Sequence, residues 1–565
     1  MEIGVICRKR SIIVFFIFVI LYLIVLLNLF SIQILNQDFY LKLARDQHTI
    51  SVTSYPERSQ IIDRNYKPIT LNRDSVAAFI LPHKLTEPQK LNNFLAKNFP
   101  DAYKRLAQHK NKYFMYVQRR LTPAQQALIK KSNLTDIKLV SEPSRFYLLE
   151  SLAPLVGVTS IDNQGLFGLE RKYNKLLGGA PSIFDLEKDA RSGRFYFKKA
   201  TTQTGTEGQD LQLTIDSGLQ FLATGELQEV VDNYQAQEGA VIILDPTNGD
   251  ILALASTPSF NPNQVKKLDL NLTKNRPISE THELGSVMKP FVALAALEEG
   301  VVAPDELIDC GGKKEVVVDG MRISTVLPDG IIPFWQVITR SNNIGMVKVA
   351  KKLGPKLYDY YRKMGFGTKT SLGLEGEQSG FVSHPKSWSN RSIVSLSFGY
   401  ELSATLLQLA QAMGLIANNG YLVTPRLILG PAQNQSSSAK IDLALPARTE
   451  RSRGETKRVF SEKTISQMRK ILQENVQAGT GKKAHIQGYE IFGKTGTANL
   501  VVNGKYSKQH NIYSFVGFVE RGTYKRVIAV YVKDSPQPGL LASMVAAPLF
   551  EKIAEKMIIH DKLLN

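Results

Sequence analysis

Residues 11–35, SIIVFFIFVILYLIVLLNLFSIQIL, carry no charge, and a helix of that length spans a hydrocarbon core of about 30 Å. Residues 287–297, VMKPFVALAAL, are apolar except for Lys289, which predicts a helix buried on every side inside a large domain. LQLTIDSGLQFLATGELQEVVDNY (211–234) reads as a short strand followed by a capped amphipathic helix. GAVIILDPTNGDILALAS (239–256) reads as two strands around a D-P-T-N-G-D turn. IFGKTGTANLV, YSFVGFVE and RVIAVYVKD supply three more strands, and 543–559 a closing helix. The fold class expected is therefore α+β, an antiparallel five-stranded sheet covered by helices.

Between about 40 and 220 short pieces alternate without a strong period. RSQIIDRNYKPIT (58–70) reads as an extended apolar pair and a turn. VGVTSIDNQGLFGLERKYNKLLGG (156–179) reads as turns opening a helix near Leu169, ended by Gly178-Gly179. Both read as structural. The segment 432–457 is polar and reads as a solvated insertion.

Charge sets the orientation. Arg8, Lys9 and Arg10 precede the apolar run, so the N-terminus is expected in the cytoplasm and the bulk outside it. A cleaved signal peptide is the rival, but the run is longer than a typical h-region and no small-x-small site follows it. An uncleaved single-pass anchor removes nucleic acid from the expected partners. The net charge of +19 then faces an anionic membrane or wall polymer. A chain of 565 residues holds two or three domains, and 43% apolar with 21% charged content excludes large-scale disorder. Cys7 and Cys310 fall on opposite sides of the membrane and cannot pair. No H-x-x-x-H, C-x-x-C or phosphate-loop spacing occurs, so neither a metal nor a cofactor is expected.

The chemistry lies in three patterns. S-x-x-K occurs at Ser286–Lys289, Ser383–Lys386 and Ser437–Lys440. Only the first falls on a predicted buried helix, where i and i+3 share a face. A lysine at a helix start more often lays its stem on apolar surface and its ammonium in water. Pro290, however, breaks a local rule there: in a helix beginning near Ser286 it removes a hydrogen bond, at a cost of about 1–3 kcal/mol. Ser341-Asn342-Asn343 is an S-x-N opening an apolar helix, whereas Ser259-Phe260-Asn261 runs into Pro262 and reads as a loop. Lys494-Thr495-Gly496 is the sole K-[ST]-G, on a predicted strand. Each is weak alone; the three in that order, on helix, helix and strand, form a strong signal.

With KNRPISETHELGSVMKP, ITRSNNIGMVKVA, GFGTKTSLGLEGE, FGYELSATLLQLAQAM and GKTGTA, the chain resembles the class B penicillin-binding proteins. These are membrane-anchored D,D-transpeptidases that cross-link peptidoglycan. SIDNQGLFGLE, SFGYEL and the threonine of K-T-G are similar to the division-specific subtype (FtsI type); the elongation subtype is the alternative. The resemblance implies a cytoplasmic tail at 1–10 and an anchor at 11–35. A pedestal for dimerisation or partner contacts follows at 36–221, and a transpeptidase domain at 222–565. It implies an inner-membrane protein with its bulk in the periplasm, at the septum, beside a separate glycan polymerase and division proteins. Departures are visible: Leu284 and Val287 flank Gly285-Ser286 where the family has proline and threonine. Ser59 and Tyr66 replace pedestal glycines, and Leu540 and Leu541 replace small residues.

The resemblance further implies Ser286 as nucleophile, Lys289 as its base, Ser341 as proton relay and Asn343 as an amide that holds Lys289 and substrate. Lys494 would keep Lys289 neutral and, with Thr495, Gly496 and Thr497, bind the carboxylate of a D-Ala-D-Ala stem peptide. Backbone N–H groups of Ser286 and Thr497 would form the oxyanion hole, and β-lactams would act as covalent inhibitors. A serine β-lactamase shares all three motifs but needs a glutamate-activated water, and a non-catalytic β-lactam sensor would acylate without product.

Overall fold

The computed structural model describes residues 2–109, 112–188, 195–265, 268–431 and 458–562. They divide into two compact units, 1–57 with 178–208, and 58–177 with 209–565. Ser437 and Lys440 lie outside the described residues.

In the first unit a helix, Glu2–Phe30, continues through one π turn at Ser31–Leu35. Its stretch Arg10–Leu35 has mean hydropathy 3.2 and no buried residue, long and apolar enough to cross a bilayer once as a single-pass anchor. Strands Thr49–Ser54, Ser182–Lys188 and Phe195–Gln203 form an antiparallel sheet with the second in the middle.

In the second unit the elements that position the site are α1 (Ser217–Asn233), β1 (Glu238–Leu244), β2 (Ile251–Thr257), α2 (Lys289–Glu298), α3 (Asn343–Leu353), α4 (Leu406–Ala417) and α5 (Glu462–Gln477). They are completed by β3 (Glu490–Val502), β4 (Lys505–Arg521), β5 (Tyr524–Lys533) and α6 (Ala542–His560). The five strands make one antiparallel sheet in the order β2-β1-β5-β4-β3, as expected. Side chains alternate between its faces with period two. Ala240, Ile242 and Leu244 of β1 join the core that contains α2 and α4, while Val241 and Ile243 join the core of α1 and α6. Both faces are covered, which explains why these strands read as unbroken apolar runs rather than alternating ones.

Asp216 caps α1 by accepting from the backbone N–H groups of Gly218 and Leu219 at 2.9 and 3.0 Å. The Asp-Arg-Asn turn ties onto this cap: Asn65 Nδ2 donates to Asp216 Oδ2, and Asp63 Oδ1 accepts from the N–H groups of Asn65 and Lys67. The helix expected from Leu169 to Gly178 is two short helices, Gly168–Lys172 and Asn174–Gly178. The break comes where Asn174 turns its side chain back, accepting from the Gly165 N–H and the Arg58 guanidinium. Around it lies a buried charge cluster: Glu170 accepts from Arg58 at 2.6 Å and from Arg145 at 2.8 Å, all three excluded from solvent. The structural reading of both stretches fits these contacts.

A buried ion pair adds little over an apolar replacement, but removing one partner strands a charge. Glu170→Ala leaves two guanidinium groups facing each other and is expected to destabilise this unit by about 3–5 kcal/mol, read as a lowered denaturant midpoint of the purified protein.

Candidate active site

Ser286 does not begin the α-helix. Residues Gly285–Met288 form a 3-10 turn, and α2 starts at Lys289 with Pro290 in its first turn. The expected cost of Pro290 is therefore absent. The Ser286 carbonyl is taken by the Lys289 N–H in i→i+3 geometry, and a first-turn proline lacks only an N–H that has no helical acceptor. In a 3-10 turn side chains at i and i+3 eclipse, so Ser286 and Lys289 stand on one line. Ser286 is half-buried, and Lys289 is buried completely, with every residue from Val287 to Leu297.

The second pattern closes over Lys289. Its Nζ lies 2.7 Å from the Ser341 carbonyl, 3.1 Å from the Ser341 hydroxyl and 2.5 Å from Asn343 Oδ1. Asn343 Nδ2 donates to the Ser324 carbonyl, which fixes the amide with its oxygen toward the lysine. Ser341 sits at φ +57, a conformation few non-glycine residues adopt. Asn342 enforces it from the next position, capping α3 through the Gly345 N–H and donating to buried Asp329. Such strain, held by its surroundings, clusters at functional sites.

The third pattern lies on β3. Lys494 is as deeply buried as Lys289. Its Nζ donates to the Thr480 hydroxyl at 3.2 Å and the Thr495 carbonyl at 3.1 Å. Burial brings the Lys494 ammonium down to about 7. Lys289 is held well below the lysine range, first by burial and further by the neighbouring Lys494 charge. Lys289 is thus the neutral member. Its two protons suit the two groups that can only accept, the Ser341 carbonyl and Asn343 Oδ1, leaving its lone pair for a hydroxyl. Among the described residues Ser286 Oγ makes no hydrogen bond to Nζ; such contacts often tighten only when substrate binds.

Gly496 has a packing reason. A Cβ there would lie 2.7 Å from the Leu284 carbonyl and 2.8 Å from the Val287 nitrogen, so only glycine lets β3 lie against the serine turn. The same closeness holds at Gly399 of SFGYEL, φ +90, whose Cβ would meet the Gly285 carbonyl at 2.2 Å. Leu284 and Val287, which depart from the resembled pattern, are buried core residues. The Thr497 hydroxyl accepts from the Ala542 N–H at 2.9 Å and keeps its own proton free. The other serine–lysine spacing is no site: Ser383 is buried and Lys386 exposed, its backbone N–H donating to His384. Ser259-Phe260-Asn261 is a loop, as expected.

Sequence reasoning missed three residues. Thr480, in the turn after α5, holds Lys494 and accepts from Thr495. Glu283 accepts from the Glu401 N–H and the Tyr506 hydroxyl, and the Tyr400 hydroxyl accepts from the Asn499 N–H. Only the small-residue turn A-G-T-G after an amphipathic helix hinted at the first.

Residues 239–555 match the family described as the penicillin binding protein transpeptidase domain. The chain belongs to the penicillin-binding proteins. Residues 53–213 match the penicillin-binding protein dimerisation domain. Probable peptidoglycan D,D-transpeptidase PbpC of Pseudomonas aeruginosa is 30% identical over 96% of this chain and 94% of its own. Peptidoglycan D,D-transpeptidase FtsI of Escherichia coli is 30% identical over 92% and 87%. Stage V sporulation protein D of Bacillus subtilis is 29% identical over 97% and 85%. Penicillin-binding protein 3 of Mycobacterium tuberculosis, crystallised with aztreonam, shares the fold at TM-score 0.67 and 24% identity, over 91% of this chain and 98% of that one. This penicillin-binding protein is a class B peptidoglycan D,D-transpeptidase, a serine acyltransferase.

The glycine contact supplies a test. Gly496→Ala drives a methyl into the backbone of the serine turn, so labelling of the protein by a fluorescent penicillin should fall at least tenfold. An unchanged labelling rate would show that the turn yields without moving Ser286.

Proposed function

We propose that this transpeptidase works through an acyl-enzyme at Ser286 with Lys289 as its base. The observation that carries the reading is Lys289 itself: fully buried, beside a second buried lysine, one 3-10 turn from a serine hydroxyl. Desolvation and a neighbouring cation together produce a neutral amine able to take a proton near neutral pH. Ser286 Oγ attacks the carbonyl carbon between the two D-alanines and its proton passes to Lys289. The developing oxyanion meets the backbone N–H groups of Ser286 and Thr497, a donor of this kind contributing about 2.7–4 kcal/mol. Ser341 delivers the proton from Lys289 to the leaving nitrogen, the C–N bond breaks, and D-alanine departs. An amine of a second stem peptide then attacks the ester, gives up a proton along the same path, and frees Ser286. Lys494 and the Thr497 hydroxyl bind the terminal carboxylate; Thr495 lies beside them, while Gly496 contributes close approach rather than a contacting group.

Hydrolysis is disfavoured at this site. Glu377, among the described residues the buried glutamate between the S-x-N and K-T-G patterns, is committed within its own loop. Its Oε1 accepts from the Thr370 N–H and hydroxyl at 2.7 and 2.6 Å, and its Oε2 from the Gly373 N–H at 3.2 Å. A β-lactam should therefore remain on Ser286 as a lasting adduct. Ser286→Ala should abolish labelling, and Lys289→Ala should slow it by about 10²–10⁴-fold. Ser383→Ala should leave it unchanged. Peptide mapping of the adduct decides, and a label on any other serine would sink the assignment.

We assign the enzyme to the septum, with its bulk in the periplasm and a separate glycan polymerase and division proteins as partners. SIDNQGLFGLE and SFGYEL support this, as do the FtsI relatives. Depletion should give filaments with the protein at midcell under fluorescence; rounded cells would instead mark the elongation subtype.

A further inference from the structure

The carboxylate-binding lysine is held by a hydrogen-bond chain whose direction is set from outside the three motifs. Asn475 of α5 is fully buried, and its Nδ2 donates to the Gly493 carbonyl at 2.7 Å. That contact fixes the amide, so Oδ1 faces Thr480 as an acceptor. The Thr480 hydroxyl gives its single proton to Oδ1 at 3.1 Å. Both of its lone pairs are then taken, one by the Thr495 hydroxyl at 2.9 Å and one by Lys494 Nζ at 3.2 Å. The backbone of Thr480 is pinned as well, its N–H donating to the Thr339 carbonyl at 3.2 Å. A hydroxyl offers one donor and two acceptor sites, and here each is used.

Two consequences follow. Lys494 meets only acceptors on its buried side, the Thr480 oxygen, the Thr495 carbonyl and, at a long 3.5 Å, the Thr495 hydroxyl. This favours the charged ammonium and leaves the proton of that longest bond the one most readily given to a substrate carboxylate. Thr495 spends its proton inward on Thr480, so its outer side can only accept, and recognition of an anionic carboxylate falls to Lys494 and Thr497. We propose that Thr480, oriented by Asn475, is a positioning residue that holds Lys494 charged and aimed at the substrate carboxylate. This rests on the acyl-enzyme reading above and deepens it.

Few charges face Lys494. Val516 of β4 stands opposite it across the sheet, α5 and its following turn present Asn475 and Thr480, and the α2 side presents Lys289 as the titratable neighbour. The acylation rate should accordingly rise with pH as Lys289 loses its proton and fall as Lys494 loses its own. Removing an acceptor from an ammonium lowers its pKa, so the alkaline limb moves to lower pH. A hydrogen bond to a charged group is strong enough to move that limb by about one pH unit.

The experiment is the second-order rate of penicillin acylation against pH for the full chain and its variants. Thr480→Val should move the alkaline limb down by about one unit, while Thr480→Ser, which keeps the hydroxyl, should retain the parent limb. Thr480→Ala, smaller and likewise without the hydroxyl, should move it down as well and serves if the valine variant does not fold. A purely structural role would lower the rate equally at every pH. An unmoved limb in Thr480→Val, or a serine variant that follows the valine one, overturns the assignment of Thr480. A parent protein that takes no label at Ser286 overturns the acyl-enzyme reading and this one with it.

Discussion

Two lysine side chains without solvent exposure share one site, and the surrounding structure is organised by that constraint. Burying a single ammonium costs several kcal/mol even after relaxation, and two adjacent ammonium groups repel as well. The conflict is relieved when one of them is neutral. Lys289 is that one: burial, and after it the neighbouring Lys494 charge, hold it well below the lysine range, while Lys494 is brought down only to about 7. In the proposed mechanism reactivity at Ser286 is then a by-product of folding: the lone pair that the apolar core produces on Lys289 serves as the base for the serine. The core must be dry for this, and both faces of the five-stranded sheet are covered by helices.

Dryness requires close approach, and close approach requires glycine at particular places. Gly496 lets β3 lie on the serine turn, and Gly399 lets the SFGYEL segment lie on it from another side. Glu283, next to the turn, then binds the Glu401 N–H and Tyr506. The turn carrying Ser286 is thereby clamped between a strand and a loop far apart in sequence. Not every glycine is so constrained. Tyr66 occupies a pedestal position where the resembled pattern has glycine, and it keeps the left-handed backbone at φ +64 with its side chain largely exposed. A non-glycine residue there costs about 1–2 kcal/mol, but nothing blocks its Cβ, so the turn survives the exchange.

How much was legible in the sequence depends on the range of the interaction. The strands, their hairpin and the buried helix follow from period and turn chemistry alone, because each is a local pattern repeated over several residues. The three reactive patterns were legible for the same reason: S-x-x-K and S-x-N each occupy a single turn. Pro290 was misread because period cannot separate a 3-10 turn from the first turn of an α-helix, and the proline is costly in one frame and harmless in the other. Thr480 was not legible at all. Its function is a contact with Lys494, fourteen positions away on another element, and a lone threonine in a turn carries no periodic signal. The helical stretch after Leu169 opens and ends where expected, but its break at Tyr173 was not legible, since it goes with contacts that Asn174 makes with Gly165 and Arg58.

The same economy of polar groups explains why this site transfers an acyl group instead of hydrolysing it. Water is a poor nucleophile and needs a base with a lone pair to spare beside the ester. Two carboxylates adjoin the motifs among the described residues, and both are engaged: buried Asp329 accepts from Arg340 and Asn342, and half-buried Glu283 accepts through Oε1 from the Glu401 N–H and the Tyr506 hydroxyl. Those bonds tie down the segments that carry Ser341 and Ser286, so freeing either carboxylate would loosen them. In the proposed mechanism the base is Lys289, enclosed by Ser341 and Asn343. An amine acceptor is intrinsically more nucleophilic than water and needs its proton removed only late in attack, which a single shared lysine can do. In the proposed mechanism selectivity for the cross-link over hydrolysis rests on this difference between the two nucleophiles.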